Sequence, residues 1–507
     1  MTSPQDLYQE LLTIVRRAAL LESSAAVLGW DRETYMPANG AEHRANQMSL
    51  LSGLHHQAAT DERIGELLDT LNETDLNEPA TADSAVNQRE IRRRYDRNRR
   101  LPQDLVEETA RVTALAQHYW SQARQADDYQ LFSPWLKNII RLKQEEAAAV
   151  GFAADGTSYD ALLDEYEPQS TSREIADVFG RLRSKLIPLL DRIRGCPRSP
   201  DASILVRDYP VAQQKKFGQL AAKFIGFDFD SGRLDVTAHP FCSRIGPGDC
   251  RLTTRYDANF FSGAFFGTLH EAGHGLYEQG LSSEAWGTPL GHSVSLGIHE
   301  SQSRLWENIV GRSRAFWQYF FSQAQTFFPD ALKNTSLDEF FFAVNTVRPS
   351  PIRVEADEVT YNLHIMLRFD IERDLISGDL SVEDLPAAWN DRFKSDFGIT
   401  PDSDADGCMQ DIHWSAGLFG YFPTYALGNM YASQFYQTAR DQLGDLDKQF
   451  SNGEFGTLLE WLRENIHEQG QRLPAGELVE SVTGHPLSDA PLIRHLTERF
   501  LPLYQGT

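Results

Sequence analysis

The run His270-Glu271-Ala272-Gly273-His274 places two imidazoles four positions apart, with a carboxylate directly after the first. On a helix, residues four positions apart lie on the same face, so His270 and His274 can bind one metal ion together. Glu271 can then remove a proton from a water molecule that the ion activates. The alternative is a pair of histidines that share a helix face and are only packed or solvated. The spacing and the adjacent carboxylate together favour a catalytic metal site.

A catalytic zinc site usually has three protein ligands and leaves one position for water. Two further candidates, His299 and Glu300, occur together in the cluster at 297–308. Neighbouring residues on a helix point about 100° apart, so only one of the two can face the ion. Glu300 would complete the His₂Glu set typical of zinc peptidases, but the spacing alone does not choose between them. The alternative for this cluster is an exposed helix in which Glu300 pairs with Arg304 at i,i+4.

The residues around both clusters have helical periodicity. Residues 259–279 and 292–310 place apolar side chains at helical spacing, so each cluster is expected on a helix. Four glycines in the first stretch lower its helix propensity, and close approach of another segment or a ligand would explain them. Strand-like runs are short and few, at 234–237 and 250–256. The other predicted helices are 7–27, 41–55, 83–98, 102–126, 135–151, 172–194, 211–226, 357–376, 382–397, 425–443, 453–466 and 490–500.

Asp249, Arg251 and Thr253 alternate with a period of two, which predicts a strand with these three side chains on one face. Such a strand beside the metal helix could present its backbone groups to an extended peptide. An ion pair that braces the strand is an equally good interpretation.

The composition limits the partners of the chain. Lys and Arg number 48 against 72 Asp and Glu, and the net charge of −24 argues against nucleic acid and anionic membranes. The four cysteines form no C-x-x-C pair, so no disulfide framework is indicated. The first residues lack a basic and apolar signal segment, and no run of about 18 apolar residues occurs. We therefore expect a cytoplasmic protein with no membrane partner.

Six motifs in order give the sequence a family resemblance. The chain resembles the carboxypeptidase Taq family of metallocarboxypeptidases, and no defining position of the six motifs departs from the family pattern. Any one of these motifs is weak by itself, but six in sequence are very specific. The matches are 239–241 to HPF, 249–253 to DxRxT, 270–274 to HExxH, 299–302 to HESQ, 352–357 to IRxxAD and 407–414 to GxxQDxHW.

The resemblance implies roles that the spacing left open. It assigns His270, His274 and Glu300 as metal ligands and Glu271 as the catalytic acid/base. One zinc ion per chain is the expected cofactor, although a two-His, one-carboxylate set also accommodates Co²⁺ or Mn²⁺. It also implies a homodimer.

A carboxypeptidase must recognise the free α-carboxylate of its substrate, and Arg is the side chain best suited to that task. Arg353 in the IRxxAD motif is the main candidate, and Arg348 could supply a second cation. The alternative is that Glu355 or Asp357 holds Arg353 for structural reasons. The other substrate-binding candidates are His239, Asp249 and Arg251.

The segment after 407 contains candidate donors to the oxyanion that forms during peptide hydrolysis. These are His413, Tyr421 and Tyr425, and His413 is the preferred one. Gln410 and Asp411 are predicted to orient a ligand histidine.

These observations predict a mainly α, zincin-type metallopeptidase. Residues 1–507 would form a single unit of two helical lobes around a deep central cleft, with a very small β-sheet and the metal at the cleft floor. The predicted function is a metal-dependent carboxypeptidase of broad specificity that releases amino acids one at a time from peptide C-termini. One alternative is a zinc oligopeptidase that cuts internally in short peptides. The other is a non-catalytic zinc-containing peptide-binding protein, against which Glu271 argues because a structural site needs no base.

Overall fold

The computed structural model describes residues 3–73, 79 and 81–506. Helices make up most of this part of the chain, so the mainly α prediction is confirmed. Capping boxes at Ser3, Thr171 and Ser336 begin three of the helices. The helices are α1 (Pro4–Thr34), α2 (Ala41–Ala59), α3 (Glu62–Glu73), α4 (Asp83–Arg100), α5 (Gln103–Ala126), α6 (Tyr129–Val150), α7 (Ser158–Leu163), α8 (Ser172–Arg194), α9 (Val211–Phe224), α10 (Phe261–Gly280), α11 (Leu296–Arg304), α12 (Arg314–Phe327), α13 (Pro329–Leu332), α14 (Leu337–Val344), α15 (Tyr361–Ser377), α16 (Leu385–Phe397), α17 (Pro423–Leu443), α18 (Leu446–Ser451), α19 (Gly456–Asn465), α20 (Ala475–Thr483) and α21 (Ala490–Gln505).

A three-stranded sheet lies beside α10. Its strands are β1 (Gly232–Val236), β2 (Cys242–Gly246) and β3 (Asp249–Thr254), in the order β1-β3-β2. The central strand β3 is parallel to β1 and antiparallel to β2, and it packs on α10. The prediction of a very small sheet is therefore confirmed. The sequence predicts β1 and β3 but not β2, whose short run shows no alternation of buried and exposed residues.

The two helices that carry the metal-site motifs pack tightly against each other. A Cβ atom built on Gly273 of α10 would lie 2.6 Å from the Gln302 carbonyl oxygen of α11. On the other side of α11, a Cβ on Gly428 of α17 would lie 2.6 Å from Cγ of Glu300. The close approach predicted from the glycines of 259–279 is thus present. A π-helix, Leu305–Val310, continues α11 where the sequence predicts one uniform helix.

The buried apolar side chains form two clusters in the described residues. The smaller one joins α1, α3 and α4 and includes Leu11, Leu67 and Ile91. The larger one extends from α5 to α21 and surrounds the metal helices. No helix in the described ranges combines the length and the apolar composition needed to cross a membrane.

Candidate metal centre and active site

Three candidate ligands from two helices converge at the site. His270 and His274 come from α10 and Glu300 comes from α11, and one donor atom of each lies within 4.8 Å of the other two. Glu300 Oε2 is 3.8 Å from His270 Nε2 and 3.5 Å from His274 Nε2. Tetrahedral ligands at about 2.0–2.1 Å from a zinc ion are themselves about 3.3 Å apart. The donor set therefore fits a small divalent cation.

Each ligand imidazole is oriented by a group that lies behind it. His270 Nδ1 is 2.9 Å from Glu307 Oε2. His274 Nδ1 is 3.1 Å from the His299 carbonyl oxygen and 2.6 Å from His299 Nδ1. These acceptors favour a proton on Nδ1 of both ligands, which leaves each Nε2 lone pair free for a metal. Glu307 is not among the residues predicted from the sequence. The only feature of the sequence that points to it is its position two helical turns after Glu300.

Glu300 is held by the arginine one turn later. Arg304 Nε donates to Glu300 Oε1 over 2.7 Å, and Arg304 Nη1 donates to Glu307 Oε2 over 3.3 Å. Burial raises the pKa of Glu300, but Arg304 and His270 outweigh it and hold that pKa well below its usual range. The i,i+4 pair expected for an exposed helix therefore forms on a buried one. Arg304 thus binds Oε1 of Glu300, and Oε2 lies on the side of the His270 and His274 imidazoles.

Glu271 lies next to the ligands on α10 and is almost fully buried. Burial raises the pKa of its carboxyl group to about 7, since a carboxylate loses hydration there. The charges of His270 and Glu300 act on it with opposite signs, so the group lies within the electrostatic reach of the ligand set. A carboxyl group with a pKa near neutrality can both accept and return a proton.

His413 and the two candidate tyrosines form one group. His413 Nε2 is 3.1 Å from the Tyr425 hydroxyl, and the rings of Tyr421 and Tyr425 are 5.4 Å apart between centroids. Burial lowers the pKa of His413 to about 3, so its imidazole is neutral at physiological pH. Both tyrosines are half-buried, and the charge of Glu300 influences both phenols. The two phenols thus lie within electrostatic reach of Glu300.

Arg353 is buried, and its guanidinium pairs with a carboxylate that lies far away in the sequence. Its Nε and Nη2 donate to Asp411 Oδ1 over 3.0 and 2.7 Å, and its Nη1 donates to the Tyr361 hydroxyl over 3.1 Å. Asp411 Oδ2 accepts a second guanidinium, from Arg368 Nε, over 2.7 Å. Asp411, and not the neighbouring acidic residues of the IRxxAD motif, is therefore the ion-pair partner of Arg353.

Gln410 supports the same segment, because its Oε1 accepts the backbone N–H of Arg353 over 2.8 Å. The prediction that Gln410 and Asp411 orient a ligand histidine is wrong. The segment around 411 packs against the segment around 353, so both side chains hold Arg353 instead.

Two substrate-binding candidates lie apart from this cluster. Arg348 is exposed, and in the described part of the chain its guanidinium makes no ion pair; its backbone N–H donates to Asp357 Oδ2 over 3.0 Å. His239 is exposed in the loop between β1 and β2. The structure brings neither side chain into contact with the candidate metal ligands.

Asp249 and Arg251 form an ion pair on β3. Arg251 Nε and Nη2 donate to the two oxygens of Asp249 over 2.8 and 2.7 Å. The Arg251 guanidinium also stacks 4.2 Å from the ring centroid of Trp30 on α1. Thr253 Oγ1 accepts the Phe241 N–H over 2.7 Å, so it is not free for a peptide. The bracing interpretation fits this geometry, and a role of the pair in substrate binding stays a prediction.

A helix with H-E-x-x-H and a carboxylate from a second, antiparallel helix define a metallopeptidase of the zincin class. The sequence comparisons give the family: the chain belongs to the carboxypeptidase Taq (M32) metallopeptidases, whose family model matches residues 10–500. The resemblance derived from the six motifs is thereby confirmed.

Individual relatives cover almost the whole chain. It is 49% identical over 509 residues to thermostable carboxypeptidase 1 of Thermus thermophilus, with 99% of this chain and 100% of the relative covered. It is 38% identical to carboxypeptidase 1 of Bacillus subtilis, with 98% of each covered. The crystal structure of the M32 carboxypeptidase from Deinococcus radiodurans R1 superimposes with a TM-score of 0.94 at 38% identity, over 99% of this chain and 100% of that one. These findings support the metallocarboxypeptidase and neither alternative function.

Proposed function

We propose that this metallocarboxypeptidase uses one zinc ion on His270, His274 and Glu300, with Glu271 as general acid/base. The observation that carries the proposal is the convergence of the three donor atoms within 4.8 Å, beside a buried carboxyl group. A bound divalent cation would polarise the scissile carbonyl and lower the pKa of a water molecule. Cobalt or manganese could substitute in the same donor set.

Glu271 has the properties of a general acid/base. Its raised pKa lets it take the proton of the attacking water and later give that proton to the leaving amine. Since Glu271 follows a ligand directly on the helix, its side chain points away from the ligand face by about 100°. It can therefore approach the water without replacing a ligand.

His413, Tyr421 and Tyr425 are proposed to donate hydrogen bonds to the developing oxyanion. A neutral imidazole carries one N–H, and Nδ1 of His413 has no hydrogen-bond partner in the described residues although it is buried. The two phenols keep their protons, because burial raises the pKa of both. Neutral donors that are fixed before the reaction stabilise such an oxyanion without reorganisation.

Arg353 is proposed to bind the substrate α-carboxylate. A guanidinium has five N–H donors, and the three hydrogen bonds to Asp411 and Tyr361 leave one N–H on each terminal nitrogen. In addition, Arg353 and Arg368 share the single carboxylate of Asp411, so this buried triad carries one excess positive charge. A carboxylate from the substrate would balance that charge. Arg348, His239, Asp249 and Arg251 remain secondary candidates for contacts with the peptide.

Three features complete the proposal. We propose two helical lobes around the cleft within one unit of residues 1–507, a homodimer, and a cytoplasmic location. The smaller α1–α3–α4 cluster is compatible with a separate lobe, and the free state of all four cysteines fits a reducing compartment. Sedimentation at micromolar concentration tests the dimer: a species of twice the chain mass is expected, and a monomer would contradict it.

The deciding experiment compares N-acetylated peptides with a free and an amidated C-terminus, with and without a chelator. Release of the last residue should require the free C-terminus and should stop when the metal is removed. Glu271→Gln should keep the metal, because residue 271 is not a ligand, while hydrolysis falls by orders of magnitude. Near-normal turnover of that variant would contradict the acid/base role.

A further inference from the structure

Two ends of the candidate metal site can be distinguished along α10, one at His270 and one at Glu278. α10 and α11 run antiparallel, since His270 contacts Glu307 while Glu278 contacts His299. Arg304 and Arg353, which both contact Tyr361, lie at the end of the site that contains His270. The other end, at Glu278, has no role in the proposed chemistry. A peptide whose C-terminal carboxylate is at Arg353 and whose scissile bond is at the metal would continue toward that second end.

Polar groups line the floor from the metal site toward this second end. Glu278 lies one helical turn after His274 on the same face of α10, and its Oε1 is 2.8 Å from His299 Nε2. Arg244 on β2 lies 3.5 Å from the other oxygen of Glu278. The side chains of His274, His299, Glu278 and Arg244 are 15%, 16%, 13% and 14% exposed. They are thus recessed but accessible to solvent, as expected along a substrate cleft.

Arg94 of α4, through Gln471, and Arg244 both reach the loop that precedes α11, and Arg94 makes no ion pair with a described residue. Its guanidinium is half-buried, and its one hydrogen bond among the described residues goes from Nη2 to Gln471 Oε1, a neutral group, over 2.8 Å. Gln471 Nε2 in turn donates to the Ser293 carbonyl oxygen, which fixes Arg94 beside the loop that precedes α11. A half-buried cation with no ion-pair partner has lost part of its hydration, so a bound anion would offset that cost.

Two carboxylates, Glu22 of α1 and Glu90, lie within electrostatic reach of Arg94, but neither makes an ion pair with it among the described residues. Glu90, one turn earlier on α4, is already paired with Arg89 and Arg93. His292 lies near both Arg94 and Arg244, and burial together with these two cations lowers its pKa to about 3. It is therefore a neutral group between two guanidinium groups. The guanidinium of Arg94 therefore makes no ion pair with a described residue, whereas Arg244 lies 3.5 Å from Glu278 Oε2.

We propose that Arg94, together with Arg244 and His292, forms a subsite for a carboxylate side chain of the substrate, upstream of the scissile bond. The proposal rests on the proposed function, because Arg353 sets the direction of the peptide. Glu278 lies about 9 Å along α10 from the midpoint of the two ligand histidines, and the arginines lie further on. An extended peptide covers about 3.3 Å per residue, so the distance to Glu278 corresponds to about three residues, and the recognised Asp or Glu should lie roughly three or more residues before the scissile bond.

The test uses N-acetylated hexapeptides of alanine with a C-terminal phenylalanine and a single glutamate or glutamine at each upstream position in turn. At one position roughly three or more residues upstream of the scissile bond, the glutamate peptide should exceed its glutamine counterpart in kcat/KM by about 10-fold or more, as for a hydrogen bond between charged groups. Arg94→Gln should remove this preference and change the glutamine peptide by less than about twofold. Arg94→Lys, which keeps the charge, should retain part of the preference.

Arg92→Gln is the matched control, since Arg92 lies on the same helix and pairs with Asp69 away from the cleft. It should leave the preference intact. Equal kcat/KM for glutamate and glutamine peptides at every position would overturn the subsite. Equal losses for both peptides in Arg94→Gln, at unchanged metal content, would show that Arg94 only supports the fold. If the glutamine peptide loses no C-terminal residue at all, the proposed function itself fails, which is a distinguishable result.

Discussion

Replacing Arg353 by alanine gives the clearest test of exopeptidase recognition, because the structure separates its two roles. The three hydrogen bonds that Arg353 donates to Asp411 and Tyr361 are internal to the protein. The two remaining N–H groups are those available to a substrate carboxylate. In Arg353→Ala, Asp411 keeps Arg368 as its ion-pair partner, so no carboxylate is left buried without a cation. We therefore expect a folded protein with impaired recognition.

The magnitude follows from the contacts that the substrate loses. Hydrogen bonds between charged groups contribute about 1.5–3 kcal/mol, so Arg353→Ala should lower kcat/KM on a free-acid peptide by roughly 10- to 100-fold. Arg353→Lys keeps the charge but loses the planar pair of donors and should lie in between. The assay compares kcat/KM for N-acetylated peptides that differ only in a free or amidated C-terminus. The amidated peptide should be a poor substrate of the parent protein, and Arg353→Ala should hardly change its kcat/KM.

Equal losses on the free acid and the amide would refute this reasoning and make Arg353 a structural support of Asp411. Asp411→Asn provides the contrast, because it leaves the guanidinium groups of Arg353 and Arg368 buried without an anion. Breaking a buried ion pair in this way costs about 3–5 kcal/mol, so its main effect should be a lower melting temperature.

The remaining predictions concern the metal and the buried carboxyl groups. Glu300→Ala should lose the metal, whereas His299→Ala should retain it with weaker binding, and metal analysis after dialysis showing the reverse order would mean that the wrong residue was chosen. Glu307→Gln should weaken metal affinity by about 10- to 100-fold, as for other groups that orient a ligand histidine, and an unchanged competition titration would contradict this. Burial raises the pKa of Glu372 from 4.5 to about 7, so the folded protein holds a proton that the unfolded chain releases between these pH values. The free energy of unfolding should therefore fall as pH rises through that window, by at most about 1.4 kcal/mol per pH unit for this group. Melting temperatures at pH 5 and 7 should differ less in Glu372→Gln than in the parent.

The local pattern of the sequence predicted the parts of the site that depend on helical spacing. His270 and His274 share a face because they are four residues apart, and α10 lies close to its expected limits, whereas α11 begins four residues after the expected start and continues to Val310 only as a π-helix. Contacts between segments distant in the chain could not be predicted in this way. Arg353 and Asp411 are 58 residues apart in the sequence. The residues near Arg353 therefore suggested only Glu355 and Asp357 as its ion-pair partners.

The predicted limits of helices were wrong where tertiary packing outweighs intrinsic helix propensity. The prediction ends α1 at residue 27, but the helix continues through Gly29 to Thr34, where Trp30 and Tyr35 pack beside the sheet. α6 begins at Tyr129 and includes Pro134 at its sixth position, where the missing N–H removes a helix hydrogen bond that the buried face of the helix must offset. α12 and α14 were not predicted, although the buried side chains of α12 recur at helical spacing, as at Phe316, Phe320 and Ala324.

The distribution of charge supports the proposal that Arg353, and not Arg348, is the main anchor for the substrate carboxylate. Arg348 is exposed, so water already solvates its guanidinium and a substrate carboxylate would gain little from replacing that water. Arg353 is 7% exposed and belongs to a triad with one more positive charge than negative. Glu372 lies within electrostatic reach of Arg368, but its pKa of about 7 leaves it only partly ionised at neutral pH. An excess buried charge is unfavourable in the free enzyme, and a bound α-carboxylate relieves it. A C-amidated peptide cannot supply that charge, so we expect the triad to discriminate against it and against internal sites of longer peptides.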